Sequence, residues 1–103
     1  MTTEKLHDIK VLTIITEATI ESSLLDDFES LGVTGFTIVD ARGKGRRGSR
    51  MGGWETNSNI RIEIICNTEL ANSISTFLQD KYYENYAIVM YVSDSQVFRL
   101  DKF

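Results

Sequence analysis

The chain has 103 residues, 42% of them hydrophobic and 25% charged, which is enough for one small domain with its own core. Its net charge is −4, and without the basic side chains of residues 42–50 it would be −9; the broad basic face that nucleic-acid binding needs is missing, so no nucleic acid is expected as a partner. Cys66 is the only cysteine and His7 the only histidine, which excludes an intrachain disulfide and argues against a metal site. No apolar run approaches the ~20 residues that span a bilayer. Glu4 and Asp8 stand where a signal peptide would be apolar, and a cytoplasmic location is expected.

Ile9 to Thr16 is rich in β-branched residues and predicts a first strand. Thr19 is placed to cap a helix running to about Leu31, with Ile20, Leu24, Phe28 and Leu31 forming one apolar stripe and Asp26, Asp27 and Glu29 lying off it. Gly32 ends that helix. Phe36 to Ala41 predicts a second strand. Asn59 to Asn67 alternates, with Ile60, Ile62 and Ile64 on one face and Arg61 and Glu63 on the other, as in a third strand with one face in the core. Asn67 or Thr68 caps a second helix to about Tyr82, with Leu70, Ile74, Phe77 and Leu78 inward. Tyr86 to Val92 predicts a fourth strand, and Gln96 to Leu100 has the length of a short fifth. The order is the β-α-β-β-α-β, ferredoxin-like plan of an α+β domain, one domain over residues 1–103. Its two helices cover one face of the sheet. Ile64, Val89 and Val97 add more apolar surface than that arrangement uses, so self-association through the open face is expected.

Between the second and third strands, at about residues 42–57, lies the most informative segment. Arg42 to Gly53 contains Gly43, Lys44, Gly45, Arg46, Arg47, Gly48, Ser49, Arg50, Met51 and Gly52, with no acidic residue. Successive amides in such a loop can form a concave anion site, and Arg and Lys add charge-assisted bonds to phosphate oxygens. The loop follows a strand without opening a helix, so it is neither a Walker A loop nor a dinucleotide fingerprint. Composition alone leaves a plain solvated hairpin loop open. Gly32 and Gly35 around the start of the second strand, and Thr37 within it, fit first a helix stop and turn, and otherwise close approach of a flat ligand. Asp40 beside Arg42 and Glu63 beside Arg61 read as solvated or ion-paired surface rather than as a catalytic pair. Tyr82, Tyr83 and Tyr86 fit packing at a helix–strand junction or a stacking wall for a base. Trp54, in a Gly-rich setting, fits either self-packing or contact with a partner.

The run from Leu31 through Arg46, and Arg61-Ile62-Glu63-Ile64-Ile65 on the third strand, resemble PII signalling proteins, in the same order on the same plan over roughly residues 8–93. The resemblance implies a homotrimer that binds adenine nucleotides between subunits and a T-loop, at about residues 42–57, that docks onto partner proteins. By position it places Gly35, Thr37, Glu63 and Ile65 around the adenine and Gly43, Lys44, Gly45 and Arg46 at ribose and phosphates. Arg47 and Arg50 are candidates for a second anion, bicarbonate or phosphate, and Ser49, Met51 and Trp54 for partner contact. Nitrogen-sensing PII proteins carry a Gly-rich B-loop with a phosphate-binding Lys after the second helix. Here that segment, Asp80-Lys81-Tyr82-Tyr83-Glu84-Asn85-Tyr86, has no glycine, and Arg47 replaces the Gln used for 2-oxoglutarate with Mg-ATP. Of the C-terminal basic residues that reach ATP phosphates, Arg99 alone has a counterpart. Fewer phosphate contacts favour AMP, ADP or cyclic AMP over ATP as effector. The pattern is similar to the PII-like branch linked to inorganic carbon, which implies a membrane bicarbonate transporter or another inorganic-carbon component as partner, and peripheral association with the inner membrane through it. Ligand binding is then expected to order the T-loop. No enzymatic activity and no metal are expected. Three alternatives stand: a weak nucleotide hydrolase, a nitrogen-type PII regulator of another transporter, and a structural or metal-tolerance trimer without nucleotide.

Overall fold

The computed structural model describes residues 5–44 and 58–100. Four strands, β1 (His7–Glu17), β2 (Thr37–Ala41), β3 (Asn59–Cys66) and β4 (Ile88–Val97), form one antiparallel sheet in the order β2-β3-β1-β4. Helices α1 (Glu21–Leu31) and α2 (Thr68–Tyr82) complete the expected β-α-β-β-α-β, ferredoxin-like order.

Directly opposed residues share a face, so the register sorts the sheet into rows. Leu12 with Ile64, Ile14 with Ile62, and Thr16 with Ile60 are buried on the face covered by the helices. Leu24 and Phe28 of α1 and Ile74 and Leu78 of α2 close over them. Each such fully buried side chain stabilises the fold by roughly 1.5–3 kcal/mol. Ile20, Leu24 and Phe28 of the first predicted stripe and Ile74 and Leu78 of the second are therefore core, with Leu31 and Leu70 packed partly buried against it, and the alternation in β3 is realised in full. Ile64 consequently belongs to this core and adds nothing to the open face, where it was expected. Cys66 is buried as a small apolar residue; its burial pushes the thiol pKa up, and its Sγ donates to the Ile64 carbonyl at 3.7 Å.

Several boundaries differ from expectation. Thr19 does not cap α1. It lies inside a 3₁₀ turn, Ala18–Ile20, whose helical backbone rules out the extended conformation of an N-cap, and α1 starts without a side-chain cap. β1 starts two residues earlier than expected, at His7, which lies opposite Val97. β2 starts at Thr37, after Phe36, whose ring packs 5.4 Å from that of Phe28. Phe77 faces solvent, because α2 turns Ile74 and Leu78 inward. Gln96–Leu100 forms no fifth strand; β4 runs without a break from Ile88 to Val97 along His7–Thr16 of β1. Two ends follow prediction. The Asn67 side chain accepts from the Leu70 amide at 2.8 Å, and Gly32 ends α1 at φ 86°, a left-handed conformation that favours glycine.

Asp27 departs furthest from its expected place. It is buried between the helices, where the Tyr82 hydroxyl donates to Oδ2 at 2.5 Å and Lys81 Nζ to Oδ1 at 2.7 Å. Tyr82 has spent its only hydroxyl proton on Asp27, so Ser23 Oγ, 2.6 Å away, donates to the phenol oxygen. Lys81 and Tyr82 both gain higher pKa values. For Lys81 the main cause is its hydrogen bond to Asp27, and for Tyr82 it is burial, followed by the bond to Asp27.

Candidate functional site

The open face of the sheet carries the opposite alternation. One row across it runs Thr37, Glu63, Thr13, Tyr91; the next runs Val39, Arg61, Ile15, Val89. Thr37 and Glu63, seen in the sequence as members of two separate motifs, are thus direct cross-strand neighbours, with Cβ atoms about 5 Å apart. Ile65, two residues on from Glu63, lies on the same face opposite Val11. Glu63 and Arg61 are exposed and 4.0 Å apart, the surface pair expected of them. Asp40 points to the helix side of the sheet, opposite Ile60, and makes no ion pair with Arg42 among the described residues.

The third row of this face is Ala41, Asn59 and Glu17. Beyond Ala41 the chain continues as Arg42, Gly43 and Lys44, all exposed, with no ion pair among the described residues. Gly35 and Gly43 have ordinary backbone φ, and a Cβ built on either meets nothing within 4 Å. Among the described residues, neither a left-handed backbone nor packing requires glycine at these positions. Gly45, Arg46, Arg47, Ser49, Arg50, Met51 and Trp54 lie outside the described residues.

The turn from α2 to β4 closes the same end of the sheet. Tyr82 is core, and its ring meets the Tyr86 ring edge-on at 5.7 Å, the junction packing expected as one alternative. Tyr83 and Tyr86 are exposed. Three amides here are used internally: Tyr83 N–H donates to Gln79 O, and Asn85 and Tyr86 N–H both donate to Tyr82 O. Ala87 N–H donates to the Glu17 carboxylate at 2.7 Å. Glu17 lies one residue beyond the predicted first strand, Ile9 to Thr16, and that position, one row beyond the strand pattern, was the available signal. A cavity of about 490 Å³ opens at the other end of the sheet from Ala41 and Glu17, where Lys10 pairs with Asp94 beside Asn67 and Thr68. Among the described residues no cluster of His, Cys, Asp or Glu is arranged to hold a metal, and no helix is long and apolar enough to cross a membrane.

Residues 9–102 match the family described as nitrogen regulatory protein P-II. The chain belongs to the PII family. A PII-like signalling protein of Thermus thermophilus is 39% identical, covering 96% of this chain and 98% of its own, with a TM-score of 0.79. The PII-like protein CPII of Thiomonas intermedia, in a structure with ADP and bicarbonate bound, is 33% identical over 96% of this chain and 97% of its own, with a TM-score of 0.81. A structure of CPII with ADP, AMP and bicarbonate matches at 31% identity over 92% of this chain and 98% of its own, with a TM-score of 0.77. This chain is a PII-like signalling protein, and the resemblance drawn from Leu31–Arg46 and Arg61–Ile65 holds across nearly the whole sequence.

Proposed function

We propose that this PII-like protein is a homotrimeric regulator that binds an adenine nucleotide in the cleft between protomers and controls a partner through the loop at residues 42–57. The observation that carries the reading is the open-face patch of Thr37, Glu63 and Ile65, which ends three rows on in the exposed Arg42-Gly43-Lys44 segment. Thr37 to Ala41 alone spans about 13 Å of strand, and Lys44 is three residues further on. In a cleft between protomers, Thr37 and Lys44 would be supplied to one nucleotide by neighbouring copies. Gly35 and Gly43 then have a use that the isolated protomer lacks: they let a ligand or a neighbouring chain approach the backbone. The ADP, AMP and bicarbonate bound by CPII support the ligand class. AMP, ADP and cyclic AMP are favoured over ATP, and bicarbonate is the anion proposed for Arg47 and Arg50. The partner proposed is a membrane bicarbonate transporter or another inorganic-carbon component, contacted through Ser49, Met51 and Trp54. The protein acts by binding; no catalytic step is assigned to it.

Calorimetric titration with AMP, cyclic AMP, ADP and ATP, with and without bicarbonate, tests this directly. Arg46→Ala and Gly35→Ala are expected to weaken adenine-nucleotide binding at least tenfold, Gly35→Ala without loss of thermal stability, while Trp54→Ala leaves it intact. Unchanged ADP affinity in Arg46→Ala and Gly35→Ala would refute the site.

A further inference from the structure

Thr13 is a buried polar residue without a structural use in the protomer. It sits at the centre of the open face, in the row Thr37, Glu63, Thr13, Tyr91, with Val11 and Ile15 before and after it on the same face of β1. Although no helix covers that face, Thr13 is only 4% exposed, and its hydroxyl makes no hydrogen bond among the described residues. A hydroxyl taken out of water without a partner costs stability. Thr16 shows the ordinary solution: as deeply buried on the other face, it donates to the Ala87 carbonyl at 2.7 Å. Directly opposite Thr13, with Cβ atoms about 5 Å apart, stands Glu63. Its half-exposed carboxylate lies 4.0 Å from the Arg61 guanidinium, too far for a hydrogen bond. A buried donor without an acceptor therefore faces a carboxylate without a bonded donor. Thr37, on the other flank of Glu63, is exposed and open to a ligand; Thr13 is not, and acts only through its neighbour.

Resting on the nucleotide reading above, we propose that Thr13 is a positioning residue for Glu63: when a nucleotide covers this row, the Thr13 hydroxyl donates to one oxygen of the Glu63 carboxylate and leaves the other to accept from a donor of the nucleoside. A carboxylate only accepts, so a ligand that strips water from it leaves it in need of donors from the protein. While Glu63 is solvated, water serves its oxygens and a bond to Thr13 gains little. Once it is covered, the same bond is charge-assisted and lies in a drier site, where it is worth more. The stability lost by burying the Thr13 hydroxyl is then recovered as ligand affinity.

The test sets stability against affinity in Thr13→Val, which keeps much of the shape of threonine and removes the hydroxyl. Its melting temperature without nucleotide is expected to rise by about 4 °C, because an unbonded buried hydroxyl is gone. Its affinity for AMP and ADP in calorimetric titration is expected to fall about tenfold. Thr13→Ser, which restores the hydroxyl, keeps the wild-type affinity. In a Glu63→Ala background, Thr13→Val changes AMP affinity no further, since the hydroxyl has nothing left to hold. A merely structural Thr13 would give the opposite pattern, a lower melting temperature with unchanged affinity. Unchanged AMP and ADP affinity in Thr13→Val overturns the proposal and leaves the binding site standing, and so does a loss that Thr13→Ser shares or that persists in full in Glu63→Ala. Failure of the wild type to bind either nucleotide overturns the site itself.

Discussion

Asp27 looks like surface in the sequence and is buried in the fold. Its helical position predicts a solvated residue, and nothing nearby in the chain contradicts that. Its partners, Lys81 and Tyr82, are more than fifty residues away and meet it only when α1 and α2 pack together. The buried carboxylate is acceptable there because both oxygens are hydrogen-bonded. Tyr82→Phe keeps the ring packed against Tyr86 but leaves Asp27 Oδ2 and Ser23 Oγ without that partner, and is expected to cost about 2 kcal/mol, read as a lower urea midpoint. The same pair gives the fold an alkaline limit. Both Tyr82 and Lys81 have pKa values raised in the native state, so the native protein holds protons that the unfolded chain releases. That contribution is complete below about pH 10 and is lost as pH rises through the raised native values. Thermal denaturation followed from pH 8 to 11 should show the melting temperature falling at the upper end, and less steeply in Tyr82→Phe.

Elements whose ends are marked by local chemistry were legible in advance. Gly32 is the clearest: its φ of 86° is strained for any residue with a Cβ, while the space around it is empty. Gly32→Ala is therefore expected to cost about 1 kcal/mol through backbone strain alone, with no change in nucleotide affinity. Asn67 at the start of α2 and the isoleucine alternation of β3 were readable for the same reason, since capping and period-two burial depend on neighbours in sequence. β4 was not. Ser93, Asp94, Ser95 and Gln96 break the apolar pattern, and what makes them strand is distant: they pair with the first half of β1, where Asp94 meets Lys10 and Gln96 meets Asp8. The candidate site divides in the same way. The Gly- and Arg-rich composition announces the loop, but the opposition of Thr37 and Glu63 is a consequence of register, which spacing along the chain does not reveal.

The whole protomer has one face too many. Val39, Val89 and Tyr91 remain well exposed on the side of the sheet that no helix covers, and a surface of this kind is normally closed by association. If the trimer proposed above closes it, Val89→Asp should convert the protein to monomers in sedimentation equilibrium and abolish nucleotide binding with it; a Val89→Asp trimer would show that the open face is not the interface. The sheet order has a further result. β1 stands inside the sheet and bonds to β3 on one side and β4 on the other, so the first strand of the sheet is completed by the last. A nascent chain that has not yet released Ile88–Val97 from the ribosome carries β1 with a bare hydrogen-bonding edge from His7 to Thr16. Productive folding must wait for the C-terminal strand, and translation arrest before it would leave a sticky intermediate instead of a working half-domain.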